Sequence, residues 1–451
     1  MAEIPRELIA DLFARERERF AAEHQGSKRL HERAEESLLS GVPMNWMTRW
    51  PGDFPVFFER ADGAELVDVD GNVYADLCLG DTGAMTGHAP APTVAAVNER
   101  LARGITAMLP TEDAAFVGEE MQRRFGLRDW QFTLSATDAN RFVIRIARQI
   151  TGRPRILVHN HCYHGSVDET VATLVDGEVG PRAGSVGPPV DVAETTRVVE
   201  INDLDALERE LAAEDVACVL IEPALTNIGI VLADDGYHER VRELTRETGT
   251  LLVIDETHTL CCGPGGYTAA HGLEPDFLTI GKPIGGGIPT GAYGFSAEVA
   301  DRIIANTFWK EADVGGVGGT LAGNALSLAA VRATLAEVLT EEAFERMIAL
   351  AERFEAAVAE TIAERDLPWS ITRLGCRAEY MFAPTPPHTG VEAAAALDDD
   401  LDALLHLYML NRGILLTPFH MMALMSPATT EAHVDLHSEA FREATTELTG
   451  G

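Results

Sequence analysis

Short apolar runs alternate with helix-forming stretches through the middle of the chain. The runs at 219–223, 251–255 and 277–281 end in polar residues, and segments with a helical spacing of apolar residues lie between them. Apolar runs of this length are typical of strands buried on both faces. Their alternation with helices predicts an α/β fold with a mostly parallel sheet covered by helices. The polar residues that end the strands are then expected to meet at one edge of the sheet.

Outside this region the pattern predicts a smaller α+β domain formed by the N- and C-terminal parts. Residues from about 5 to 39 predict one long helix, and apolar and polar residues alternate around Asp70-Gly71 as in a β-hairpin. Beyond about residue 336 a helix, short strands and another helix are expected. The predicted domains are an N-terminal helix and interface segment with the hairpin (1–75), a large domain (76–335) and a C-terminal small domain (336–451).

Composition limits the classes of partner and the cellular location that we expect. The 451 residues include 36 basic and 71 acidic ones, a formal charge of −35, which argues against nucleic acid or an anionic membrane as a partner. No apolar run is long enough to span a membrane, and the charged N-terminus has no signal-peptide core, so a cytoplasmic protein is expected. Six cysteines in this length do not make a disulfide scaffold.

Asp255 and Lys282 follow two neighbouring predicted strands. A lysine can hold an aldehyde cofactor as a Schiff base, and an aspartate can stabilise a protonated ring nitrogen; pyridoxal phosphate (PLP) needs both groups. From these two positions alone another interpretation stays open. Aspartates are common at strand ends, and a lysine before a proline is ordinarily a solvated loop residue.

Two turns are candidate anion sites. Ser135, Ala136 and Thr137 follow a predicted strand and open a helix, where backbone N–H groups can hold a phosphate, although an ordinary helix cap explains them equally well. Thr320 follows a glycine-rich loop and also stands near the start of a helix. No Lys-Ser/Thr pair follows those glycines, so this is not the phosphate loop of a nucleotide triphosphatase.

The loop after the predicted strand at 155–159 carries aromatic and histidine side chains. Tyr163 can stack on a planar cofactor. The spacing of His159, His161 and His164 suggests zinc, but no cysteine or carboxylate set of metal-site form accompanies them, and no metal site is predicted.

Together these blocks resemble the class III aminotransferases of PLP fold type I, nearest to the glutamate-1-semialdehyde aminomutase branch and the β-amino-acid aminotransferases beside it. The resemblance covers nearly the whole chain, from about residue 68 to 418, and the blocks follow the order of the family. They are Ser135-Ala136-Thr137-Asp138-Ala139, Tyr163-His164-Gly165, Glu222-Pro223 with Asn227, Asp255-Glu256-Thr257, Lys282, and Gly318-Gly319-Thr320.

The resemblance implies a role for each matched residue. Lys282 would form the Schiff base and carry the proton between substrate and cofactor carbons, and Asp255 would pair with the pyridine nitrogen. Tyr163 and Thr257 would lie on the two faces of the ring, and Asn227 and Glu222 would face its hydroxyl. The remaining implied cofactor contacts are Ser135, Ala136, Thr137, His164, Gly319 and Thr320, and Thr320 would reach the cofactor of a neighbouring subunit, which implies a homodimer.

The C-terminal loop departs from the relatives. The β-amino-acid enzymes often carry an arginine there for a substrate carboxylate, whereas this chain has Phe419, His420 and three methionines. An entrance to the active site lined by these largely apolar residues favours an aromatic or bulky substrate side chain. Arg49, between two tryptophans, is the candidate for gripping a substrate carboxylate, and a surface or interface role for it stays equally open.

The leading hypothesis is therefore a transaminase that moves an amino group between an amino acid or amine and a 2-oxo acid. The alternative is an aminomutase or racemase, which uses the same lysine and ring. A PLP-free binding protein on this fold is disfavoured because Lys282 is retained, and the motif of nicotinamide enzymes is absent from the early strands. The identity and chirality of the amino donor stay open.

Overall fold

The computed structural model describes residues 4–306 and 316–450. The strands are β1 (Phe58–Asp62), β2 (Glu65–Asp68), β3 (Val73–Asp76), β4 (Asp129–Thr133), β5 (Arg155–His159), β6 (Ala172–Val175), β7 (Glu178–Pro181), β8 (Thr196–Val199), β9 (Val216–Ile221), β10 (Leu251–Asp255), β11 (Phe277–Ile280), β12 (Gly291–Phe295), β13 (Ser370–Leu374), β14 (Arg377–Met381), β15 (Ile414–Leu415) and β16 (Met422–Leu424).

The α-helices cover Arg6–Glu23, Gln25–Ala34, Ala91–Leu101, Glu112–Phe125, Ala136–Thr151, Val192–Thr195, Leu204–Leu211, Tyr237–Thr248, Gly266–Ala270, Ala297–Ala305, Ala325–Ala333, Glu341–Glu364, Gly390–Ala395, Asp399–Leu410 and Glu431–Thr449. Short 3₁₀ helices lie at Leu39–Gly41, Asn45–Arg49, Asp168–Thr170, Thr259–Cys262 and Lys282–Gly285, and a π-helical turn covers Thr334–Val338. No helix among the described residues is long and apolar enough to cross a membrane.

The chain divides into two compact units. The central unit contains Ala91–Phe344 and Pro387–Ala395, and the terminal unit contains the chain up to Pro90, Glu345–Pro386 and the chain from Ala396 onward. The predicted domain limits, after residues 75 and 335, lie somewhat earlier in the chain than these limits and stay a prediction.

The central unit is built on a seven-stranded sheet of order β4-β12-β11-β10-β9-β5-β8. The pairs β11–β10, β10–β9, β9–β5 and β5–β8 are parallel, while β12 is antiparallel to both β11 and β4. Every residue of β9, β10 and β11 is buried, because helices cover the faces of a parallel sheet. The predicted α/β class with a mostly parallel sheet is confirmed, and the carboxyl ends of these three strands meet at one edge.

The terminal unit is the smaller α+β part expected from the sequence. It holds a four-stranded sheet of order β1-β2-β3-β15 and a three-stranded sheet of order β13-β14-β16. The predicted hairpin is β2 and β3, and the carboxylate of Asp68 accepts hydrogen bonds from the N–H groups of Asp70 and Asn72 at its turn. A core cluster that includes Phe20, Phe54 and Tyr74 packs beside this sheet.

The prediction of one continuous N-terminal helix over residues 5–39 was wrong. The structure has two helices, because His24 leaves the helical backbone region with φ −122° and ψ 42°. Its ring nitrogens lie 2.8 Å from the Phe20 carbonyl oxygen and 2.7 Å from the Tyr74 hydroxyl. A long-range side-chain contact therefore overrides a locally helical composition.

Candidate functional site

Lys282 stands just past the end of β11 and begins the 3₁₀ helix Lys282–Gly285. Its backbone has φ +43°, in the left-handed region that side chains other than glycine rarely adopt. The side chain is half-buried, and its Nζ lies 2.7 Å from Nε2 of His258. A non-glycine residue held in this region by its surroundings is typical of a functional position.

Asp255 ends β10, the strand next to β11, and is 3% exposed. Its Oδ2 accepts hydrogen bonds from Asn140 Nδ2 (2.8 Å) and His164 Nδ1 (2.9 Å). Its Oδ1 accepts from the backbone N–H (3.0 Å) and the hydroxyl (2.6 Å) of Thr257. Burial by itself raises the pKa of Asp255, but the His164 ring, with Thr257 and Asn140, lowers it below the ordinary value. The site therefore contains a buried, ionised and rigidly oriented carboxylate.

His164 is the charged partner of Asp255. Burial opposes its positive charge, yet Cys162 and the Asp255 carboxylate raise the pKa of His164 well above its ordinary value. Its Nε2 is buried and has no hydrogen-bond partner among the described residues. Because buried polar atoms are nearly always paired, this atom marks a place where a further group is expected.

The turn at Ser135 begins the helix Ala136–Thr151. The Ser135 hydroxyl caps the helix by accepting the N–H of Asp138 at 3.2 Å. A Cβ atom built on Gly281 would lie 2.9 Å from both the N and the Cβ of Ala136, so a larger residue there would collide with the turn. Glycine before Lys282 thus lets the end of β11 approach a helix N-terminus, whose unpaired N–H groups and dipole attract anions.

Gly165 approaches the same turn even more closely. It has φ +79°, and a Cβ there would lie 2.0 Å from Oγ1 of Thr137. We expect Gly165→Ala to lower the free energy of unfolding by about 2–4 kcal/mol, through backbone strain plus this collision. Gly177 is the matched control, because it has φ +84° with no atom within 4 Å of its Cβ position. Gly177→Ala should cost only the strain, about 1–2 kcal/mol. Urea denaturation of both variants measures the difference, and equal losses would contradict the close approach.

Glu222 fixes the loop that carries Tyr163. It follows β9 and is buried; its Oε1 accepts the N–H of Tyr163 (2.9 Å), and its Oε2 accepts the N–H (3.1 Å) and hydroxyl (2.5 Å) of Thr226. Burial raises the pKa of Glu222 above its ordinary value. Tyr163 itself is 44% exposed. Contacts of Glu222 and Tyr163 with a cofactor stay predictions.

Asn227 pairs with an arginine that the sequence did not single out. With the amide oriented so that its oxygen faces Arg182, that oxygen accepts two hydrogen bonds from the guanidinium, at 3.2 and 2.6 Å. Arg182 Nη1 also donates to the carbonyl of Cys162, one residue before Tyr163 (2.8 Å). The predicted contact of Asn227 with a ring hydroxyl stays a prediction, and it would place a positive charge beside that hydroxyl.

Asn140 is the second residue missed from the sequence. Its Nδ2 donates to Asp255 and to the His164 carbonyl (3.2 Å), and its Oδ1 accepts the hydroxyl of Thr279 in β11 (2.6 Å). The available signal was its position one helical turn after Ala136, as a polar residue on a face that is otherwise apolar. His258, the residue directly after the block Asp255-Glu256-Thr257, was missed as well.

The remaining predicted residues are divided between the two units. Gly319 and Thr320 line a cleft of about 620 Å³ in the central unit together with Phe132 and Tyr293. The predicted substrate residues belong to the terminal unit. There Arg49 is exposed. The ring centroids of Phe419 and Trp46 are 6.1 Å apart, with the rings nearly perpendicular. Nδ1 of the buried His420 lies 2.8 Å from Oε1 of Glu379. The substrate contacts stay predictions.

The residues at the strand ends fit a phosphorylated pyridine aldehyde. The site offers an amine that can bond to an aldehyde, an ionised carboxylate suited to a ring N–H, and a helix N-terminus suited to a phosphate. Gly281 brings the strand before the lysine to that helix N-terminus, and Asn140 of the same helix contacts Asp255 and Thr279. The unpartnered Nε2 of His164 is a further buried polar atom at this place. This donor set is the one that such a cofactor requires.

Similarity to known proteins extends over most of the chain. The family model for class-III aminotransferases matches residues 46–444. A glutamate-1-semialdehyde 2,1-aminomutase of Anaeromyxobacter sp. (strain Fw109-5) is 34% identical over 407 residues, which cover 88% of this chain and 93% of that protein.

Solved structures extend the similarity to the fold. A glutamate-1-semialdehyde-aminomutase from Pseudomonas aeruginosa PAO1 is 49% identical with a TM-score of 0.95 and covers 99% of each chain. A variant of that enzyme has been solved in complex with PMP. An omega-transaminase from Sphaerobacter thermophilus is 30% identical with a TM-score of 0.84, covering 94% of this chain and 97% of the other.

Proposed function

We propose that this chain, which belongs to the class-III aminotransferases, is an aminomutase that moves an amino group between neighbouring carbons of one amino-carbonyl compound. This membership confirms three predictions: the family resemblance carried by the motifs, the PLP fold type I, and PLP as the cofactor. The relatives support the mutase, which was the alternative in the sequence analysis, better than the transaminase that led there.

One observation carries the proposal. The likeness to the Pseudomonas enzyme named as an aminomutase runs through essentially the whole of both chains. A change of reaction within a family usually comes with changed loops, because function resides in the site rather than in the fold. End-to-end agreement therefore favours a shared reaction type over a shared fold alone.

The proposed chemistry assigns a task to each group at the strand ends. PLP, when bound, supplies an electron sink and an aldehyde that can bond to an amine. Lys282 Nζ would bond to that aldehyde and, once released by the substrate amine, would move a proton between substrate atoms. Asp255 would keep a proton on the ring nitrogen because its own carboxylate stays ionised. The N–H groups at Ala136 and Thr137 would hold the phosphate.

A single-substrate assay tests the proposal. The PLP-loaded enzyme is incubated with glutamate-1-semialdehyde alone, and the position of the amino group in the product is determined by NMR. We expect isomerisation that needs neither an amine donor nor a 2-oxo acid, because a mutase returns the same nitrogen to the same carbon skeleton. Conversion that occurs only after a 2-oxo acid is added would contradict the mutase.

A transaminase is the second candidate, favoured by the similarity to the Sphaerobacter omega-transaminase. In that case an amine donor plus pyruvate would yield alanine, and the semialdehyde alone would not be isomerised. A panel of amine donors against pyruvate and 2-oxoglutarate would then identify the partners. The apolar loop at Phe419 supports including aromatic and bulky donors.

We further propose a homodimer in which Thr320 reaches the cofactor of the second subunit. Gly319 and Thr320 are exposed, and the cleft that they line also contains Met108 and Leu109, which are 79% and 74% exposed. Adjacent exposed apolar side chains are typical of a surface that is covered by a partner. The native mass in solution, measured by light scattering, tests the assembly.

A further inference from the structure

His258 lies against the reactive amine of the proposed mechanism, although that mechanism gives it no task. The distance from its Nε2 to Lys282 Nζ is 2.7 Å, within the range for direct proton transfer. The residue is 8% exposed, so the contact is largely shielded from solvent. A buried imidazole at this distance from a lysine amine can exchange a proton with it without the help of water.

The residues beside His258 hold it in place. The hydroxyl of Thr257 donates to Asp255, and the hydroxyl of Thr259 donates to Glu256. The N–H of Glu256 donates to the carbonyl of Thr279 in β11 at 2.8 Å, which joins this turn to the strand that precedes Lys282. The backbone on both sides of His258 is thus hydrogen-bonded to the framework that carries the lysine.

We propose that His258 is the proton acceptor for Lys282. In this step one N–H bond of the Lys282 ammonium breaks, a new N–H bond forms at Nε2 of His258, and the single positive charge passes from the amine to the ring. The amine is left with the lone pair that it needs to bond to an aldehyde. The proton goes back along the same contact when Lys282 is next protonated. The inference rests on the proposed covalent role of Lys282, and not on the choice between mutase and transaminase.

An ammonium is a weaker acid than an imidazolium, so this transfer is uphill and is drawn forward when the amine bonds to the aldehyde. Lysine side chains are ordinarily protonated at neutral pH and cannot act as nucleophiles, whereas imidazole is ordinarily neutral and can accept a proton. Both carboxylates on the same turn are held by other groups. Asp255 accepts four hydrogen bonds from Asn140, His164 and Thr257, and Glu256 accepts four from Thr259, Tyr267 and Thr268. Further ionisable groups beside this turn are Cys261 and Cys262 in the 3₁₀ helix Thr259–Cys262, Tyr267, and His164.

The test measures cofactor uptake rather than turnover. Full-length protein freed of cofactor is mixed with PLP, and the rise of absorbance near 400 nm is followed by stopped flow between pH 6 and 10. In the wild type we expect the band to form quickly at pH 7, because the imidazole takes the proton of the amine directly. In His258→Gln the rate at pH 7 should fall by about tenfold or more, and the difference from the wild type should shrink toward pH 10, where hydroxide can take the proton instead.

His388→Gln is the matched control, because His388 pairs with Asp234 at 2.8 Å in the same unit and is exposed. It should leave both rate and profile unchanged. Borohydride reduction with peptide mapping separates the two hypotheses, since the sequence has only three lysines, at 28, 282 and 310. Label on Lys282 with an unchanged rate in His258→Gln would overturn the role of His258 alone. Label elsewhere in the wild type would overturn the proposed role of Lys282. If His258→Gln does not fold, His258→Asn is the second variant, and an unchanged rate at pH 7 in that variant would overturn the role of His258.

Discussion

Lys282→Ala should abolish turnover while leaving the fold intact. The substitution removes the amine proposed both to bond to the cofactor and to carry the proton, so we expect kcat to fall by more than about 10⁴-fold. The side chain is only half-buried and its backbone strain is kept by alanine, so the free energy of unfolding should change by no more than about 1 kcal/mol. Turnover, the absorbance band near 400 nm and circular dichroism measure the three quantities.

Lys28→Ala is the control for this experiment, because Lys28 is an exposed residue of the helix Gln25–Ala34 in the terminal unit. It should keep both turnover and the absorbance band. A Lys282→Ala enzyme that still turns over at a rate near that of the wild type would refute the assignment of the lysine. A variant that loses its circular dichroism signal would show instead that the residue supports the fold.

Asp255→Asn should lower kcat by at least about 10²–10³-fold. A neutral amide cannot keep a proton on a ring nitrogen, and its NH₂ group would face the donors of Asn140 and His164. Because the pKa of Asp255 is lowered, the stabilisation from its charge is complete above the ordinary aspartate range and is lost as the pH falls through the lowered pKa. The variant should lack this contribution, which a comparison of acid unfolding with the wild type would reveal.

Asp276→Asn separates the loss of a buried charge from the loss of catalysis. Asp276 is also buried and lies just before β11, where it accepts hydrogen bonds from Arg242 at 2.7 and 3.0 Å and from the N–H of Leu252 at 2.8 Å. Its replacement should lower stability while the folded enzyme keeps its kcat. Equal effects of the two substitutions on kcat would contradict a specific role for Asp255.

The parts of the site that could be predicted are those fixed by the sheet. Asp255 and Lys282 follow apolar runs, and neighbouring parallel strands end at the same edge, so their proximity follows from the pattern of the sequence. The turn at Ser135 was recognisable because a strand led directly into a helix. In each of these cases short-range pattern and long-range geometry agree.

The residues that could not be predicted owe their positions to contacts with elements that are distant in the sequence. Asn140 lies inside a helix, and only the docking of that helix on the sheet brings it to Asp255. Arg182 lies in a glycine- and proline-rich loop with no periodicity to indicate its direction. The break at His24 arises in the same way, from a contact with Tyr74 that is distant in sequence.

The position of β12 has a consequence for how the protein is made. This strand, Gly291–Phe295, separates β4 from β11, yet the ribosome produces it after both. A nascent chain that stops before residue 291 already contains the turn at Ser135, Asp255 and Lys282. It still lacks β12, the strand that pairs with both β4 and β11. Long-range pairing of this kind forms late because distant segments must first meet. The capacity to load a vitamin-derived cofactor should therefore arise only after about two thirds of translation is complete.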